Sequence, residues 1–228
     1  MDIDWTVAED SLRNNGFASL GVIITPGECD DLVALYSDET RFRSRISMER
    51  YRFGRGEYKY LAYPLPETVT RIRTDLYAAL APIANRWMDA LKLAGDYPAD
   101  HRAFLDRCHA GGQLRPTPLI LQYGPGDYNC LHQDIYGDIV FPFQVIFSLS
   151  EPGQDFTGGE ILLVEQRPRA QSVGRVIVPS KGEAVIITTR WRPAKGARGF
   201  YRTSIKHGVS TVNSGKRFTL GIIFHDAK

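Results

Sequence analysis

Apolar and polar positions follow two rhythms along the chain, helical up to about residue 116 and strand-like after it. Thr6-Val7-Ala8-Glu9 reads as a capping box that opens a short helix ending near Gly16. The run from Phe17 to Ile24 follows as a strand. Thr25-Pro26-Gly27-Glu28 repeats the capping signal, with proline at the first helical position, and predicts a helix to about Tyr36. Between Pro66 and Lys92, Val69, Ile72, Leu76, Leu80, Ile83, Trp87 and Leu91 form one apolar stripe of a long helix, in which Pro82 predicts a kink. The helices are expected to buttress the outer face of a sheet.

From Thr117 onward, short β-rich runs punctuated by glycine and proline predict strands at Leu119 to Tyr123, Asp127 to Asp134, Ile139 to Leu149, Ile161 to Glu165, Val173 to Val178, Ala184 to Thr188, Tyr201 to Lys206 and Arg217 to Phe224. About eight strands is the number of a double-sheet jelly roll, whose open mouth leads to a cavity with apolar walls. With no repeat, low-complexity tract or linker between the halves, residues 1–228 read as one domain. The expected fold is α+β, mainly β: a double-stranded β-helix over 117–228 that carries the site, with a helical and flap-like extension over 1–116.

Composition adds that 228 residues suffice for one such domain. The acidic start Met1-Asp2-Ile3-Asp4-Trp5 lacks an apolar stretch, so neither a signal peptide nor a membrane span is expected, and the cytoplasm is the default location. Cys29, Cys108 and Cys130 are odd in number and unpaired in spacing, which argues against a disulfide framework or a zinc module. The net charge of +2 is unevenly spread. Residues 41–60 hold seven basic side chains against Glu49 and Glu57, and residues 188–206 hold Arg190, Arg192, Lys195, Arg198, Arg202 and Lys206 with no acid. The first segment interleaves Phe42, Tyr51, Phe53, Tyr58 and Tyr60, with Tyr63 just beyond it. Cations beside stacking platforms suit single-stranded or flipped bases, although solvated surface and ordinary packing use the same residues. On the first reading the segment is a recognition flap over the site, with Gly54-Arg55-Gly56 as its flexible point and Arg41, Arg43 and Arg45 as polyanion contacts.

The candidate chemistry lies in Leu131-His132-Gln133-Asp134, answered by His207 and then Arg217. Side chains two apart on a strand share a face, so His132 and Asp134 can hold one ion together. His207 would complete a two-histidine, one-carboxylate set. On an octahedral ion that set leaves three positions open, which suits Fe(II) oxygenases. Arg217 falls in the alternating run Arg217-Phe218-Thr219-Leu220-Gly221-Ile222-Ile223; if this strand pairs with that of His207, Arg217 and Thr219 face inward. A buried guanidinium needs a partner, and a bidentate carboxylate, such as the far one of 2-oxoglutarate, fits its fork. Cys130 shares the face of His132 and either lines the site or, the preferred reading, packs as a small apolar residue. Tyr136 and Asp138 either shape the entrance or, the preferred reading, form a turn. His101, His109 and His225 have no ligand spacing to the triad.

Tyr123-Gly124-Pro125-Gly126 followed by Leu131-His132-Gln133-Asp134 resembles the signature of 2-oxoglutarate/Fe(II) dioxygenases, specifically AlkB-type nucleic-acid demethylases. From about Thr117 to Lys228 the chain most resembles a bacterial AlkB-related family of presumed nucleic-acid oxygenases, with Asp155-Phe156-Thr157-Gly158-Gly159-Glu160 and Phe224-His225-Asp226 as further landmarks. The resemblance implies Fe(II) at His132, Asp134 and His207, with 2-oxoglutarate and O2 as co-substrates. It implies that Tyr123 donates its hydroxyl to 2-oxoglutarate, that Arg217 pairs with the far carboxylate, and that Thr219, in an Arg-x-Thr element similar to Arg-x-Ser, helps to hold it. The second arginine of AlkB-type proteins is replaced by Ile223, and an asparagine by Leu121. The implied activity is oxidative demethylation of alkylated DNA or RNA. A hydroxylase of a protein side chain or metabolite shares the triad, the clamp and the Gly158-Gly159-Glu160 turn, and a non-catalytic ligand-binding jelly roll is the third alternative.

Overall fold

The computed structural model describes residues 3–135 and 137–228. The first half is built from α1 (Trp5–Asn15), β1 (Phe17–Val22), α2 (Pro26–Leu35), β2 (Phe42–Ser47), β3 (Gly54–Arg55), β4 (Glu57–Leu61), α3 (Glu67–Leu91) and α4 (His101–Ala110). The second half is β5 (Leu119–Tyr123), β6 (Tyr128–His132), β7 (Phe143–Ser148), β8 (Phe156–Gly158), β9 (Ile161–Gln166), β10 (Val173–Ile177), β11 (Glu183–Thr188), β12 (Trp191–Gly196), β13 (Gly199–Val209), β14 (Val212–Gly215) and β15 (Arg217–Ile223). One sheet runs β1-β11-β7-β15-β5-β4-β2 and the facing sheet β10-β9-β13-β6-β3, with β12 hairpinned onto β13. This is the expected jelly roll. No helix among the described residues is long and apolar enough to cross a membrane.

Local signals place most elements. Thr25 and Glu28 close the capping box of α2, each side chain bonded to the other's backbone N–H. In α1 the cap sits two residues earlier than the Thr6 box predicts, because the Asp4 carboxylate accepts from the N–H groups of Thr6 and Val7. The α3 stripe is buried as expected against the first sheet, with the helix continuing through Pro82. Trp87 is fully buried, edge-on to Phe143 at 5.0 Å, and donates its indole N–H to the Trp191 carbonyl at 2.9 Å. Truncating it to alanine would cost about 3–5 kcal/mol.

Other elements differ from expectation. Residues 41–61 are not a loose flap: β4 pairs with β5 and β3 with β6, so the segment stitches the two sheets together. Gly54 and Gly56, read as a flexible point, are instead required by close approach. At Gly54 (φ 138°) a Cβ would lie 2.2 Å from the Tyr128 carbonyl oxygen. β13 and β15 do not pair; His207 stands on one sheet and Arg217 on the other, and they meet across the sandwich. Asp226 is fully buried and accepts from Arg73 at 2.9 Å, His109 at 2.9 Å and Tyr63 at 2.8 Å. Breaking such a pair on one side costs about 3–5 kcal/mol, so these contacts tie the C-terminal segment to α3 and α4.

Candidate metal and co-substrate site

His132 ends β6, directly opposite His207 on β13. The cross-strand pair brings the two imidazoles to a centroid distance of 4.2 Å. Asp134 lies past the end of β6, so the turning chain, not strand alternation, returns its carboxylate to the pair. Its Oδ1 is 3.5 Å from His132 Nε2 and its Oδ2 3.1 Å from His207 Nε2, and one ligand atom from each residue falls within 4.8 Å of the others. His132 Nδ1 is 2.7 Å from the Cys130 carbonyl, an acceptor, so the proton sits on Nδ1 and the Nε2 lone pair faces Asp134. Burial lowers the pKa of His132, but the Asp134 carboxylate outweighs it and the net shift is upward. Burial leaves His207 below its ordinary value. Burial also opposes ionisation of Asp134, yet the two imidazoles hold its carboxyl well below the usual range. One carboxylate anion and two imidazole lone pairs at this spacing fit a divalent ion with open positions.

The triad lines a cavity of about 380 Å³ between the sheets, walled by Leu119, Leu121, Ile146 and Ile161. Arg217 and Thr219 line it from β15, both 2% exposed, and Tyr123, fully buried, lines it from β5. Nη1 of Arg217 is buried without a hydrogen-bond partner, and Arg217 makes no ion pair among the described residues. Its guanidinium is flanked by the rings of Tyr123 at 5.3 Å and Phe156 at 5.8 Å. A Cβ at Gly159 would meet Arg217 Cδ at 2.8 Å, so the Asp155 to Glu160 landmark makes the pocket in which this side chain lies. Burial pushes the Tyr123 phenol up to about 12, with Arg217 opposing, so the hydroxyl remains a donor. A buried cation with an unmade N–H beside a donor hydroxyl is a receptor for a carboxylate.

The structure thus brings His132, Asp134, His207, Tyr123, Arg217 and Thr219 around one cavity. Cys130, read as a buried small residue, is exposed and lines the cavity. Tyr136 lies outside the described residues, and Asp138 pairs with Lys228 at 2.5 Å. His101 and His109 bond the Phe224 carbonyl and Asp226, away from the triad, and His225 Nδ1 accepts from the Phe141 N–H. Tyr58, one of the aromatics of the basic segment, lines the cavity, whereas the lining residues Asn129 and Gln144 escaped the sequence reading. The available signal for Gln144 was an isolated polar residue inside the apolar run Phe143 to Phe147.

Residues 56–227 match the model of the Oxygenase-NA family, described as an oxygenase catalysing oxidative methylation of damaged DNA. The chain belongs to that family. Two uncharacterized proteins of Mycobacterium tuberculosis, from strains CDC 1551 / Oshkosh and ATCC 25618 / H37Rv, are each 48% identical to this oxygenase over 164 residues, 72% of this chain and 70% of the relative. Among solved structures it is similar to a 2OG-Fe(II) oxygenase family oxidoreductase from Burkholderia pseudomallei (TM-score 0.58, 15% identity, 100% of this chain and 93% of that one). It is also similar to a Pseudomonas putida prolyl-4-hydroxylase (TM-score 0.56, 15% identity, 98% and 99%). At that identity the likeness defines the fold. By its family the enzyme is an oxygenase, and the His132, Asp134 and His207 cluster is its candidate metal centre.

Proposed function

We propose that this oxygenase oxidatively demethylates alkylated nucleic acid, with His132, Asp134 and His207 as iron ligands and Arg217, Thr219 and Tyr123 holding the far carboxylate of 2-oxoglutarate. Residues 1–116 and 117–228 act as one catalytic domain, since Phe53 and Tyr58 from the first half line the same cavity as the triad. The free thiols of Cys29, Cys108 and Cys130 suit a reducing cytoplasm. When bound, the iron and its co-substrates supply oxidation of a C–H bond, with 2-oxoglutarate leaving as succinate and CO2. A methyl on a ring nitrogen becomes N–CH2OH, which releases formaldehyde and the unmodified base. The residues around the centre exclude water through the apolar walls, orient the co-substrate and leave the mouth open for the base.

The observation that carries the nucleic-acid reading is at that mouth. Tyr51 and Phe53, each 48% exposed, stack at 5.6 Å with an interplanar angle of 21°. Arg50 lies 5.8 Å from the Tyr51 ring centre, and Arg52 and Phe53 line the cavity itself. An exposed aromatic stack flanked by cations suits a base and its phosphates. The basic residues are not all available: Lys59 is buried against Glu39, Arg45 pairs with Glu57, Arg192 with Glu165, and Arg43 bonds the Pro116 carbonyl. Arg50 and Arg52 therefore replace Arg43 and Arg45 as the tested contacts.

Succinate and formaldehyde formation tests the reading. Methylated single-stranded oligonucleotide is expected to stimulate both, unmethylated strand neither, and Phe53→Ala with Arg52→Ala to weaken the effect in a salt-dependent way. Stimulation by a proline-containing peptide or a metabolite instead would favour the hydroxylase reading, which the replacement of an AlkB-type arginine by Ile223 also suits. No turnover with any of them would point to a binding module.

A further inference from the structure

Gln144 is a buried carboxamide, 5% exposed, on β7. It faces the cavity with Ile146, while Phe143, Val145 and Phe147 pack into the core beneath the helices. Its Nε2 lies 3.1 Å from His207 Nε2, the same nitrogen that lies 3.1 Å from Asp134 Oδ2. One imidazole nitrogen carries either a proton or a free lone pair. It cannot donate to Asp134 and accept from the Gln144 amide at once, and a metal ion on that lone pair ends both contacts. The amide is then left buried in apolar surroundings, an expensive state unless a new acceptor arrives. Its cross-strand neighbour on the same face, Ile223, packs with Tyr60 and Leu119 and offers no polar side-chain atom.

From this we infer that Gln144 is a co-substrate-binding residue whose amide N–H donates to the carboxylate at the oxo-acid end of 2-oxoglutarate. The inference rests on the site assignment proposed above, with Arg217 and Thr219 at the far end. Register supports the division of labour. Thr219 pairs with Ser148 and Ile223 with Gln144, two rows four residues apart, or about 14 Å along the sheet, from which side chains reach inward. Between the rows Gly221 lines the cavity without a side chain, and the Leu119 side chain, which a Cβ there would meet at 2.8 Å, covers it with an apolar surface.

The test compares two ligands on the Fe(II)-loaded protein under argon by calorimetry: 2-oxoglutarate, and 4-oxopentanoate, which keeps the ketone and the far carboxylate but has a methyl group in place of the acid at the oxo end. Gln144→Met, unbranched and of similar length, is expected to weaken 2-oxoglutarate about tenfold or more, the range of a hydrogen bond to a charged group. Its affinity for 4-oxopentanoate and for Fe(II) should be unchanged. Arg217→Met should weaken both ligands. If Gln144→Met weakens both equally, weakens neither, or loses Fe(II), the inference is overturned while the site assignment stands. If Arg217→Met weakens neither, the site assignment itself falls and takes the inference with it.

Discussion

Replacing Arg217 with methionine should change stability and affinity in opposite directions. The guanidinium is 2% exposed, has an unpartnered Nη1 and makes no ion pair among the described residues. Without co-substrate it is a buried charge held mainly by the faces of Tyr123 and Phe156. Swapping buried charge for apolar volume is neutral to stabilising, by up to about 1–4 kcal/mol, so Arg217→Met should unfold at equal or higher urea than the parent. With co-substrate the sign reverses. Losing one partner of a buried charge pair costs about 3–5 kcal/mol, a drop of about 10²- to 4 × 10³-fold in 2-oxoglutarate affinity at about 1.4 kcal/mol per tenfold. The assay is thermal and urea unfolding of the Fe(II)-loaded protein under argon, with and without 2-oxoglutarate. At 100 times its Kd the ligand should stabilise the parent by about 2.7 kcal/mol, or roughly 5–10 °C for a chain of this size, and at the same concentration the variant by about 0.4 kcal/mol or less. A variant that unfolds earlier than the parent without ligand, yet still shifts with it, would refute the reasoning.

Two further predictions concern the scaffold. Burial, aided by the nearby Arg73 cation, lowers His101 and His225 to about 4 each. Between about pH 6.5 and 4 the unfolded chain then holds more protons than the folded one, so stability is full above this window and falls by up to about 3 kcal/mol per histidine as pH drops through it. Urea midpoints measured at pH 7 and pH 5 should show the fall, and a flatter profile in His101→Phe/His225→Asn; a flat parent profile would contradict the assignment. Gly54→Ala forces a Cβ to within 2.2 Å of the Tyr128 carbonyl at a φ of 138°, whereas Gly112→Ala at φ 79° meets nothing within 4 Å. The first should cost about 2 kcal/mol or more and the second about 1, and equal losses in urea unfolding would show that β3 does not need that close approach.

What the chain reveals by itself is what is encoded over a few residues. The Thr25/Glu28 capping box is satisfied within one turn, and the α3 stripe shows itself by its helical period whatever it packs against. The strand over 119–123 was bounded correctly, because side-chain alternation and glycine or proline punctuation are local. The His132, Asp134, His207 and Arg217 pattern was legible because metal and carboxylate chemistry demands those residue types, whatever the intervening loops do. Elements whose stability comes from distant partners were hidden. Helix α4 is short, and its buried His101 is anchored to the Phe224 carbonyl 123 residues away. Strand β12 contains Pro193, which its edge position tolerates because it pairs only with β13. Sheet membership was equally out of reach, since backbone pairing is non-local: the Arg217 strand lies between β5 and β7 and meets His207 only across the cavity. For the same reason only the folded chain could show which arginines are neutralised internally, that Cys130 lines the cavity, and that the Gln144 amide touches the nitrogen that would bind iron.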